Sequence, residues 1–137
     1  MKNTKLLKGY LILTGLLLIF IGGSTLMFPV QMKSGAGIDI AENISVINDV
    51  RATSAVLLFF AMLSFLGAFI EKLSFTSNLV IVLLFLSIGL GRVISIVIDG
   101  MPVDGLVKAT FLELILGLAG AIIFKVSQKK SIQIARH

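Results

Sequence analysis

There is no cysteine in this chain of 137 residues, and its one histidine is the last residue, His137. The first absence removes disulfides, thiolate nucleophiles and cysteine-built zinc sites, and the second removes histidine-based catalytic triads and most transition-metal sites. Charge is scarce as well. Only 14% of residues are charged against 57% hydrophobic, and mean hydropathy is +1.07, where an ordinary soluble domain carries about 25% charged residues. Such a chain belongs in a bilayer, and its length allows one domain.

The formal charge of +5 does not indicate nucleic acid, which needs basic residues clustered on a solvated face with stacking aromatics or a reader motif. Neither is present. Most of the basic residues stand at the ends of apolar runs, where cations meet anionic headgroups. Uncharged runs extend over Gly9 to Phe28, closed by Pro29, then Ala52 to Ile70 and Leu73 to Gly91. Each is about 19–20 residues, enough to cross roughly 30 Å of hydrocarbon as a helix. A fourth run, Ala109 to Phe124, contains Glu113 and reaches spanning length with its flanks.

Runs such as Val80 to Leu86 do not alternate apolar with polar, so a closed barrel is excluded. The sequence therefore predicts an all-α, four-transmembrane-helix bundle as a single integral domain over 1–137, with spans at about 6–28, 50–71, 75–98 and 106–126. Lys2, Lys5 and Lys8 ahead of an apolar run have the outline of a signal peptide. The run is longer than an h-region and no small-x-small site follows closely, so it is read as the first span.

Lys2, Lys5, Lys8, Lys72, Lys125, Lys129, Lys130 and Arg136 fall on one side of the four spans. The other side holds Lys33, the border residues Arg51 and Lys108, and the acids Asp39, Glu42, Asp49, Asp99 and Asp104. The positive-inside rule then predicts a multi-pass protein of the cell membrane with both termini cytoplasmic. In the long first outer connection, Ile40, Ile44 and Ile47 share a helical face that excludes Asp39, Glu42, Asn43 and Asp49. This predicts a short amphipathic helix within 38–49, lying at the interface or running into the second span, with Gly35-Ala36-Gly37 as its hinge. The remaining connections are short, at Glu71-Lys72 and at Asp99 to Gly105, which makes spans 2 and 3, and spans 3 and 4, antiparallel neighbours.

Two ionisable residues lie inside spans, Arg92 and Glu113. Charges in hydrocarbon are costly enough to need a partner or a function. About ten residues separate each of them from Pro102, so an antiparallel hairpin sets both at one depth, roughly 10 Å below the outer surface. Gly89, Arg92, Ser95 and Asp99 recur at helical spacing on one helix, and Thr110, Glu113, Gly117 and Gly120 on the other. Arg51, with Ser54 and Ala55 a turn deeper, lies at the same end of the second span. Together these predict a polar nest of Arg51, Arg92, Ser95, Asp99 and Glu113 open to the outer side.

The nest has two readings. One is a desolvated Arg–Glu staple between helices. The other is a pocket whose guanidinium forks bind an anionic headgroup or a polar-headed lipophile, or a proton relay through Glu113. No cofactor motif accompanies it. Gly89-Leu90-Gly91 lacks the rest of a phosphate loop, and the phenylalanines and methionines read as packing residues.

Asn48-Asp-Val-Arg51-Ala52, then Gly91-Arg92-Val-Ile-Ser95-Ile-Val-Ile-Asp99-Gly100-Met-Pro102, then Glu113 resemble the domain of unknown function 4345 family. These are small four-helix bacterial membrane proteins with no established activity. The likeness covers most of the chain and is strongest over 48–124. It implies that Arg51, Arg92, Ser95, Asp99, Gly100, Pro102 and Glu113 are the family's marked polar and turn positions. The chain departs from the family pattern at Thr53-Ser54-Ala55, where relatives tend to carry an aromatic and glycines. The expected role is non-catalytic: contact with membrane lipids, with a small lipophilic or anionic-headed ligand or another membrane protein as partner. An isomerase or redox-associated enzyme using Glu113 as acid/base, or a small proton-coupled transporter, is the alternative.

Overall fold

An apolar segment in hydrocarbon has no water to satisfy its N–H and C=O groups, and each of the four runs becomes a helix. The computed structural model describes residues 4–134, and no strand occurs among them. Lys2, Arg136 and His137 lie outside the described residues, as does the side chain of Lys130. The elements are α1 (Lys5–Met27), α2 (Pro29–Gly35), α3 (Ile44–Phe69), α4 (Glu71–Asp99) and α5 (Asp104–Ile134). All but α2 are long and apolar enough to cross a membrane. The chain is a multi-pass membrane protein.

Local chemistry sets the helix ends. The Thr4 hydroxyl accepts the Leu7 N–H at 3.2 Å and caps α1. Pro29 begins α2: its φ is already helical and it has no N–H to satisfy. Asn43 caps α3 by accepting the Val46 N–H at 3.0 Å. Gly100, at φ +99°, ends α4 in a conformation that costs other residues strain.

The first connection departs from expectation in placement. Its short helix is Pro29–Gly35, and residues 38–43 are irregular. The Asp39 carboxylate takes the Ala41 N–H at 3.0 Å, and Asn43 starts a separate helix. Short polar side chains thereby compete with helical bonding across this stretch. Ile44 and Ile47 belong to the first turns of α3, and the expected common face dissolves: Ile40 is buried in the loop at 7% exposure while Ile44 is 83% exposed. Between α3 and α4 the turn is a single extended residue, Ile70, with Glu71 already helical.

The helices run up, down, up, down. α1 packs most extensively on α3, α4 on α5 and α3 on α4, with lighter contact from α1 to α4 and α5 and none between α3 and α5. Consecutive spans are thus antiparallel neighbours. Leu7, Leu11, Leu18, Ile81, Phe85 and Leu116 form the core. Hydroxyls bind across helices in the half near the termini. Ser64 donates to the Leu11 carbonyl at 2.7 Å, Ser77 to the Leu63 carbonyl at 2.8 Å, Ser74 to the Gly67 carbonyl at 2.8 Å, and Tyr10 to the Leu116 carbonyl at 3.0 Å. Such bonds, with small residues between them, hold membrane helices together where hydrophobic association is unavailable.

Candidate functional site

Two glycines bring α4 and α5 together at the loop end. A Cβ on Gly89 would overlap Leu114, and one on Gly117 would overlap Leu86, so the backbones approach to where only hydrogen fits. Just beyond Gly89, Arg92 Nε donates to Glu113 Oε2 at 2.9 Å and Nη2 to Oε1 at 3.3 Å. This is a two-bond fork, the stronger geometry for a charged pair. The side chains are 33% and 15% exposed. Each is partly desolvated, and each supplies the charge that the other requires.

Beside the pair lies a recess of about 60 Å³ lined by Arg92, Ser95, Ile96, Pro102, Leu106 and Thr110. Ser95 donates to Asp99 Oδ2 at 2.9 Å, which satisfies a carboxylate standing at the negative end of the α4 dipole. Thr110, 5% exposed, donates to the Leu106 carbonyl at 2.8 Å and leaves its oxygen lone pairs to the recess. Arginine carries five N–H donors. Glu113 takes two, and the other three have no partner among the described residues.

Of the five residues expected to converge, the structure brings Arg92 to Glu113 and Ser95 to Asp99, side by side on α4. Arg51 is directed elsewhere: its Nη1 donates to the Leu26 carbonyl at the end of α1, where the last helical carbonyls lack partners. Ser54, a turn deeper, donates to the Val50 carbonyl at 2.7 Å and packs beneath Gly22 of α1. Thr110, Pro102 and Leu106 complete the recess and were not among the five. Thr110 precedes Glu113 by one helical turn, which is the signal that points to it.

Asn78 lies outside the nest that the sequence predicts. It is fully buried, and neither side-chain polar atom has a partner among the described residues. Its spacing of four from Ser74 is visible in the sequence, but its burial is a product of the helix packing. No group of three or more potential metal ligands occurs among the described residues.

No curated protein and no solved structure shows a significant match to the chain. The family model described as Domain of unknown function (DUF4345) matches residues 6–124. That is most of the chain, including the spans that carry the paired charges and the recess between them. The chain belongs to the DUF4345 family.

Proposed function

We propose that this protein binds the anionic head of an amphiphile at the loop end of its bundle and does so without catalysis. The observation that carries this is the three guanidinium N–H groups of Arg92 that have no partner among the described residues, beside a small recess. Glu113 fixes the guanidinium plane, and its fork leaves the outer edge of the arginine for a phosphate or carboxylate. Size narrows the ligand. About 60 Å³ holds a few waters or one small polar group, far below the roughly 300–1,000 Å³ of pockets that enclose drug-sized molecules. The recess therefore suits a head and not a ring system, and a tail would lie along the lipid-facing surface.

The orientation we favour sets the recess at the outer leaflet of the cell membrane. Lys5, Lys8, Lys72, Lys125 and Lys129 stand at the end with the termini, against Glu71 alone, while acids dominate the loop end, the asymmetry expected of a cytoplasmic terminal end.

Native mass spectrometry of the detergent-extracted full-length protein tests the reading. Wild type is expected to carry an anionic-headed adduct that is lost in Arg92→Lys, which keeps the charge and loses the fork. Equal adduct mass and abundance in wild type, Arg92→Lys and the double variant Arg92→Met/Glu113→Leu would show a structural staple instead.

A further inference from the structure

We propose that the seam between α1 and α3 is a binding site for one anionic phospholipid in the leaflet at the terminal end of the bundle. A groove of about 570 Å³ follows this seam, walled by Leu58, Met62, Phe65 and Phe69 of α3 and by Ile70 just beyond it, with Ile19 of α1 opposite. From Leu58 to Phe69 it covers about 16 Å of helix at ~1.5 Å per residue, close to the ~15 Å depth of one leaflet's hydrocarbon. A single acyl chain has that length.

On α1, Lys8, Ile12, Gly15 and Ile19 recur at helical spacing, and Ile19 lines the groove. Gly15 has no side chain to hold α3 away, and a Cβ there would come within 3.0 Å of the Phe65 ring. At the terminal mouth the Lys8 ammonium stands 4.7 Å from the centre of the Phe69 ring. The ring face attracts the cation from one side, and its N–H donors remain for phosphate oxygens on the other. The pair thus positions a charge where a headgroup would sit above a chain filling the groove. Lys5, Lys72, Lys125 and Lys129 make that end basic but stand outside the groove lining, so it is direct contact with the Lys8 ammonium that selects an anionic over a zwitterionic head. The site is independent of the one at Arg92, which lies at the opposite end.

The full-length protein, delipidated in detergent, is titrated with phosphatidylglycerol or with phosphatidylcholine of the same chains, and bound lipids are counted by native mass spectrometry. Wild type is expected to prefer the first phosphatidylglycerol by about fivefold, the weight of one lysine at a membrane surface. Lys8→Gln abolishes the preference, Lys8→Arg retains it, and Lys125→Gln, which removes the same charge from the same end, leaves it intact. Met62→Trp fills the groove and weakens the first binding of both lipids. Helical circular dichroism and a monodisperse elution profile establish that each variant is folded. Equal losses in Lys8→Gln and Lys125→Gln would reduce the effect to diffuse surface charge and overturn the site, as would wild-type binding by Met62→Trp. Arg92→Lys is expected to leave this preference unchanged, so the two sites fail separately.

Discussion

Arg92 and Glu113 face each other across α4 and α5 through two bonds of 2.9 and 3.3 Å, so removal of either leaves the other partly desolvated and unpaired. With Arg92 a third exposed, a single Arg92→Met or Glu113→Leu change is expected to cost about 3 kcal/mol, the low end for broken buried pairs. The double change costs much less, because no charge is stranded. Thermal unfolding in detergent measures all three variants. Asn78 has the opposite sign. Its amide is buried with neither atom partnered among the described residues, and an unmet buried polar group costs roughly 1–3 kcal/mol. Asn78→Leu, of similar volume, is therefore expected to raise stability by about that amount in the same assay, and a fall would mean that the amide has a partner. Counting residues outward from Pro102 made the Arg92–Glu113 pair legible in the sequence. The destinations of Arg51 and Asn78 were not, because each depends on which helix lies alongside.

Helix ends and helix contacts carry separate tests. Asp99 closes α4 at its negative end, and Asp104 opens α5 at its positive end. Neutralising them is expected to act in opposite directions: Asp104→Asn destabilises and Asp99→Asn stabilises, each by about 0.3–1 kcal/mol at low salt, the gain at Asp99 reduced by its bond from Ser95. Melting temperatures at low and high ionic strength check both the signs and the screening. Between α1, α4 and α5, Gly120 receives the Tyr10 ring, and a Cβ there would overlap Tyr10 and Val82. Gly120→Ala is expected to cost about 1–3 kcal/mol by overpacking, with part of the loss recovered when Tyr10→Leu is added. The existence of four spans was plain from run length alone. Of the expected helix within 38–49, the part from Ile44 on runs into the second span, whereas 38–43 stay irregular because Asp39 and Asn43 interrupt the period of Ile40, Ile44 and Ile47 with bonds to backbone.

At the scale of the whole molecule, the up-down-up-down order puts the termini at one end and the connections bearing Asp39 and Pro102 at the other. Reporter fusions active only outside the cytoplasm are expected to be silent at residue 137 and active at Pro102. The reverse pattern would invert the orientation and move the Arg92 recess to the inner leaflet. The two connections at that end also meet: Gly105 lies against the Ala36 carbonyl and Gly37 against Val103, so segments distant in sequence pack together at the loop end. By itself the sequence determined the bilayer, the number of spans, their antiparallel order and the common depth of Arg92 and Glu113. Those follow from hydrocarbon thickness, connection length and the rise of a helix, which are properties along the chain. Only the tertiary structure decided that α1 packs chiefly on α3, that Arg51 caps α1, that Thr110 completes the recess, and that Lys8 meets the Phe69 ring of a groove beside α3. Each of these depends on the rotation of one helix about its own axis against another. In a bilayer that rotation is set by small residues and interhelical hydrogen bonds, because apolar faces are equally at home against lipid.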